Sequence, residues 1–177
     1  PKTCIYPNAD RGRTETAQNR DMMPDVTLTV LHRSDATWLH AVATAYFQEL
    51  VPDVTGPPMA EVEHWFDDPD CQTLLIDVAS ARAGFALIDC VKDQYELAEI
   101  CVLPDWRNAG IGTKAAMLCF ERYPGPWTLG VASALAGTAR FWDRLLPGLQ
   151  GIEGLARGPA LTPYQSHSYT FTIRENT

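Results

Sequence analysis

A chain of 177 residues with 46% apolar side chains is long enough for one well-filled core and short for two. Its formal net charge of −8 argues against a general nucleic-acid binder, which would present a basic face, so nucleic acid is not an expected partner. No apolar run approaches the roughly 20 residues that cross a bilayer, and the N-terminus lacks a secretory signal's apolar core, so the expectation is a cytoplasmic protein outside the membrane.

Residues 1–24 mix Asn, Asp, Arg, Thr and Gln without an apolar period and read as an irregular arm ahead of one domain over 25–177. Val26 to His32 reads as a first strand, and Ser34 or Asp35 is placed to cap the helix that follows. That helix carries Trp38, Leu39, Val42, Ala45, Tyr46 and Leu50. Pro52, Gly56, Pro57 and Pro58 break it, and Ala60 to Phe66 forms a short second helix. Three strand-like runs follow at Thr73 to Ala79, Ala83 to Val91 and Tyr95 to Leu103, with connections short enough for antiparallel neighbours. A helix begins near Gly110, its apolar face carried by Ala116, Cys119, Phe120 and Tyr123. Tyr123-Pro124-Gly125-Pro126 forces a break before a strand at Trp127 to Ala132. Gly137 to Leu146 is helical, and Gln150 to Arg157 and Ser166 to Arg174 close the domain as two strands.

Charge is unevenly spread along these elements. From Ser34 to Ala81 there is no Lys or Arg, while Asp35, Glu49, Asp53, Glu61, Glu63, Asp67, Asp68, Asp70 and Asp77 give the segment about −9. The remainder balances to about +1, with Arg107, Lys114, Arg122, Arg140 and Arg144 expected to group around the glycine turn at 107–113. The cysteines at 4, 71, 90, 101 and 119 form no Cys-x-x-Cys pair and read as reduced core thiols. His32, His40, His64 and His167 make no pair with metal-ligand spacing, and no metal is expected.

The stretch with most chemical content runs from Val102 to Thr113. A strand ending Ile100-Cys101-Val102 is stopped by Pro104 and Asp105, and a helix opens at Gly110. Free N–H groups and the positive end of the helix dipole converge there, and glycines at 110 and 112 let a bulky anion approach the backbone. Arg107 and Lys114 add positive charge, so the turn reads as a phosphate cradle.

The order Arg-x-x-Gly-x-Gly after a strand ending Val-x-Pro-x-Trp resembles the acyl-coenzyme A signature of the GNAT N-acetyltransferase superfamily, and the similarity extends from about Val26 to Ile173. The resemblance implies an α/β (α+β) GNAT fold, with a mixed, mostly antiparallel central sheet of about seven strands flanked by about four helices. A doubly wound dinucleotide fold fits less well, because its glycine turn belongs near the first strand and here the turn follows the fourth.

The implied reaction is acyl transfer, most simply acetyl, from a coenzyme A thioester to the amine of a small acceptor. By the same resemblance the main chain of Asn108, Ala109, Gly110, Ile111, Gly112 and Thr113, with Arg107 beside it, takes the pyrophosphate. Cys101 and Val102 pair with the pantetheine arm and donate an N–H to the thioester carbonyl. Glu96 stands where histone-acetylating members carry their general base, and Glu99 is its rival, common in bacterial members. A tyrosine near the leaving sulfur is usual in the last long helix, but Trp142 occupies its position, and an indole is no proton-transfer acid near neutral pH. Tyr164, Tyr169 and Tyr46 are the candidate substitutes. Trp38, Tyr46, Trp65 and Phe66 are candidates for the acceptor cleft, and the acidic segment on that side predicts a cationic acceptor. A homodimer is compatible with this reading, with the arm either covering the cleft or mediating self-association. A non-catalytic acyl-coenzyme A-binding module is the alternative, and a third variant draws its acyl group from a carrier protein or an aminoacyl-tRNA.

Overall fold

Alternating and β-branched runs separated by helical periods assemble into one sheet with helices on both faces. The computed structural model describes residues 25–51, 53–135 and 137–175; the expected arm at 1–24 lies outside the described residues. Among them are seven strands, β1 (Val26–Val30), β2 (Cys71–Val78), β3 (Ala81–Val91), β4 (Gln94–Val102), β5 (Gly125–Ala132), β6 (Ile152–Gly158) and β7 (Gln165–Ile173). Four α-helices accompany them: α1 (Ala36–Leu50), α2 (Met59–Asp67), α3 (Ile111–Arg122) and α4 (Thr138–Leu145). The sheet order is β1-β2-β3-β4-β5-β7-β6, antiparallel throughout except for β4 against β5. The expected GNAT architecture is thus present, with each element found within a few residues of its expected span.

Two apolar clusters cover the two faces. Leu39, Ala43, Tyr46, Phe47 and Leu50 form one stripe of α1 and pack with Val62 of α2 onto Phe85, Leu87, Ala98 and Cys101. On the other face Ile111, Ala115, Ala116, Cys119 and Phe120 of α3 and Phe141 and Trp142 of α4 bury Leu97, Ile100, Val102, Trp127 and Leu129. Trp127 is fully buried, its ring meets Phe120 edge-on at 4.9 Å, and its indole N–H donates to the Tyr123 carbonyl at 2.9 Å.

Two local expectations are corrected. Asp35 does not cap α1 with its side chain; a 3-10 turn (Arg33–Asp35) intervenes, and its carboxylate instead accepts the His32 N–H at 3.0 Å and the Arg82 guanidinium at 2.6 Å. Gly125 and Pro126 do not precede β5 but begin it; Pro126 carries no N–H, and the start of a strand is where that loss is tolerated.

On the α3/α4 face His167 is 4% exposed, and its Nδ1 lies 3.2 Å from Arg157 Nη2 and 2.8 Å from Ser166 Oγ. A guanidinium only donates, so Nδ1 accepts and the ring is neutral. Burial first, then Arg157, holds the His167 pKa below its ordinary 6.5. The unfolded chain therefore takes up this proton more readily, and stability is lost as pH falls below about 6.5. Urea midpoints are expected to drop between pH 7 and pH 5.5, with the drop reduced in His167→Gln; an identical drop in both proteins would assign it elsewhere.

Candidate active site

β4 organises the candidate site through two departures from regularity. The first is a bulge. Leu87 pairs with Glu99 while Ile88 pairs with Leu97, leaving Ala98 as the extra residue of β4. In a regular strand residues three apart face opposite ways. The bulge restores a common face, so Leu97 and Ile100 lie in one apolar cluster while Ala98 and Cys101 lie in the other. Glu96 and Glu99, flanking Leu97 and Ile100, are accordingly brought to the α1/α2 side. The second departure is a splay. β4 and β5 pair only at Tyr95↔Trp127 and Glu96↔Thr128, after which the two strands part and main-chain groups of β4 beyond Glu96 lose β5 as a ladder partner.

The splay leads to the turn. After a 3-10 segment (Pro104–Trp106), Asn108 and Gly110 adopt φ of 71° and 76°, the left-handed region that Asn and Gly tolerate best. Gly110 caps α3 without a side chain, and the first N–H paired within the helix is that of Lys114, to Gly110 O at 3.0 Å. The N–H groups of Ile111, Gly112 and Thr113 therefore precede the helical ladder, at the positive end of its dipole. The Ile111 side chain is 2% exposed and anchors this end in the core, while Asn108, Ala109 and Gly110 are exposed. Close approach of the supporting strand also requires glycine, because a Cβ on Gly84 would sit 2.0 Å from Cys101 O.

Arg107 stands at the start of the turn and is held there by its neighbours. Its Nη1 and Nη2 donate to Glu49 Oε1 and Oε2 at 2.8 and 2.9 Å, and its Nε donates to Val102 O at 2.9 Å. The guanidinium thus braces the turn against α1 and the end of β4. Arg122, expected near the turn, lies at the opposite end of α3, where it reaches Leu28 O at 3.2 Å.

Two recesses flank α1. One, of about 320 Å³ against α2 and β2 to β4, is lined by Trp65, Glu61, Asp68, Asp70, Asp89 and Glu99 among others, with no Lys or Arg in its wall. The other, of about 230 Å³, lies between α1 and the end of β4, against Val42, Ala45, Tyr46, Cys101, Leu103 and Arg107. Glu99 is 4% exposed and accepts the Tyr46 hydroxyl at 2.8 Å, so a buried hydrogen bond stands between the two recesses. Burial first, then the cross-strand Asp89, holds the Glu96 carboxyl above its ordinary range. Glu96 Oε1 is buried without a hydrogen-bond partner among the described residues. Burial also pushes the Cys101 thiol up to about 12 and raises that of Cys71, assisted there by Asp89, so both remain protonated near neutrality.

The acidic segment is partly neutralised by its flanks: Arg33 meets Asp67 and Glu63, Arg82 meets Asp35, and Arg107 meets Glu49. Of the aromatic candidates for the cleft, Trp65 lines the acidic recess, Tyr46 lines the second, Phe66 packs on the α1/α2 core and Trp38 lies under Arg82 at 4.8 Å. Trp142 is fully buried against Phe120 and Phe141, and its Nε1 has no partner among the described residues. Tyr164 is 47% exposed, and Tyr169 donates to Asp143 within the α3/α4 cluster. The Tyr46–Glu99 and Arg107–Glu49 links join residues 53 and 58 apart in sequence. Helical period places Tyr46 on the core face of α1, but nothing local tells what its hydroxyl meets.

The model of the acetyltransferase (GNAT) family matches residues 39–146, from α1 through the turn to the end of α4. The chain belongs to this family. Among solved structures, a GNAT acetyltransferase from Staphylococcus aureus superposes with a TM-score of 0.61 at 15% identity, covering 84% of this chain and 99% of the other. Spermidine N-acetyltransferase from Vibrio cholerae, in complex with coenzyme A and spermine, gives 0.59 at 13% identity over 82% and 92%. An aminoglycoside acetyltransferase in complex with coenzyme A gives 0.62 at 14% over 85% and 95%. No curated protein matches the sequence. As a GNAT protein the chain is of N-acyltransferase type. Among its described residues no helix is long and apolar enough to cross a membrane, and no group of three His, Cys, Asp or Glu is placed to hold a metal ion.

Proposed function

We propose that this GNAT protein transfers an acyl group, most simply acetyl, from its coenzyme A thioester to a small cationic amine. The observation that carries the reading is the placement of one strand: β4 runs from a carboxylate-bearing face beside the acidic recess to a turn rich in free N–H groups. Asn108 to Thr113 take the donor pyrophosphate on main-chain N–H groups, with Arg107 as their brace, and the β4 edge at Cys101 and Val102 takes the pantetheine arm. Polarising the thioester carbonyl is then a main-chain task.

Glu96 is the general base in this reading. A half-buried carboxyl with a raised pKa lies nearer the working range for deprotonating an ammonium than an ordinary glutamate. We read the transfer as direct to the amine; the buried Cys71 and Cys101 thiols are held protonated and supply no thiolate for an acyl-enzyme. The five carboxylates of the acidic recess, at 61, 68, 70, 89 and 99, favour an acceptor with more than one positive charge. Neighbours of the same fold, crystallised with spermine and coenzyme A or named for aminoglycosides, support this class of acceptor.

Comparing kcat/KM for an aliphatic diamine and a monoamine of equal length tests the acceptor. The diamine is expected to lead by about 10-fold or more at low salt, and the lead should shrink as salt rises toward 0.5 M. Equal values at low salt would discard the cationic acceptor.

A further inference from the structure

We propose that Tyr46 and Glu99 form a proton relay between the acceptor side and the donor side of the site, with Tyr46 as the acid that protonates the departing thiol. This rests on the acyl-transfer reading above and assigns the acid that Trp142 leaves unfilled.

Three observations support it. Tyr46 and Glu99 are 2% and 4% exposed and joined at 2.8 Å, so their hydrogen bond is shielded from bulk water. Their surroundings differ: Glu99 lines the acidic recess, whereas Tyr46 lines the apolar recess at Cys101 and Leu103, along the β4 edge assigned to the donor arm. The phenol ring is also held in place, meeting Phe47 and Phe85 edge-on at 5.2 and 5.7 Å. Neither of the other two candidate tyrosines shares these properties, since Tyr169 serves Asp143 across the sheet and Tyr164 is exposed.

The proton account balances as follows. The acceptor ammonium gives its first proton to Glu96, and the amine nitrogen lone pair forms the N–C bond at the thioester carbonyl. As the tetrahedral adduct collapses, the C–S bond breaks with its electron pair on sulfur, and the Tyr46 phenol gives that sulfur its proton. Glu99 takes the second nitrogen proton and returns it to the Tyr46 phenolate. Amide, free thiol and one proton released through Glu96 result.

Leaving-group dependence tests the relay, because an acid matters most for the poorer leaving group. Turnover is measured with acetyl-pantetheine and with an analogue fluorinated beside the sulfur-bearing carbon, whose thiol is more acidic. Tyr46→Phe is expected to lower kcat about 100-fold with the ordinary thioester and by under about 5-fold with the fluorinated one. Coenzyme A affinity and thermal midpoint are followed as checks on folding, and Tyr164→Phe serves as the unaffected control. Glu99→Gln should show the same leaving-group pattern, and the double variant should be no slower than the worse single one. Equal losses with both thioesters, or no loss, would overturn the relay while wild-type turnover keeps the acyl-transfer reading intact. Absence of thiol release by the wild type with every amine would overturn that reading, and the relay with it.

Discussion

Glu96→Gln is expected to lower kcat/KM by about 10²–10⁴-fold, the usual share of a positioned general base, while coenzyme A binding stays unchanged. Glu96 lies where β4 and β5 last pair, with a buried oxygen lacking a partner and Asp89 as its cross-strand neighbour. Both features favour the protonated carboxyl, and burial is the larger. A folded-state pKa raised above the ordinary 4.5 means that the ionised form is disfavoured in the native protein. Stability from this group is therefore present at acid pH and lost as pH rises through the raised value. Gln removes that penalty, so the variant should be at least as stable as the wild type at neutral pH. Loss of activity with retained or increased stability separates catalysis from a structural role. In the wild type, kcat/KM should rise with pH as the carboxyl ionises, and the variant should lack that limb. A change under about 3-fold in kcat/KM would remove Glu96 from the chemistry.

Gly112→Asp is expected to weaken coenzyme A binding by about 100-fold or more and to leave the fold intact. Gly112 is in the first turn of α3, beside the N–H groups of Ile111 and Thr113. A carboxylate in a first helical turn stabilises the helix by about 0.3–1 kcal/mol, and exchanging a helical glycine for Asp adds about 0.3 kcal/mol. The same charge repels a pyrophosphate: at an effective dielectric of 20, two unit charges 4 Å apart differ by about 4 kcal/mol. Solvent at this exposed end reduces the figure, and about 3 kcal/mol still corresponds to about 100-fold. Titration calorimetry with coenzyme A, alongside a thermal melt, checks both halves. Unchanged affinity would mean that the turn closes a strand-to-helix connection and does not hold the donor.

Most of the fold was legible in the chain because its signals are local. The Leu39, Val42, Tyr46 and Leu50 spacing marks α1, Pro104 and Asp105 end β4, and Gly110 opens α3. The turn of the candidate site was legible for the same reason, being a contiguous run from Arg107 to Thr113. Glu96 and Glu99 could be named as candidates, but period-2 alternation alone sets them on opposite faces. Only the Ala98 bulge, forced by how β3 pairs with β4, brings them together. Charge alone misplaced one residue: Arg122 belongs to the far end of its helix, whereas Arg107 stands at the turn and there also braces Glu49 and Val102.

Element type, order and the anion-ready turn follow from the sequence by itself, because propensity, period and capping act over a few residues along the chain. The splay of β4 from β5, the common face of the two glutamates and the Tyr46–Glu99 contact arise only in the tertiary structure. Each depends on pairing and packing between segments distant in sequence, where hydrogen-bond register and the exclusion of water select the partners.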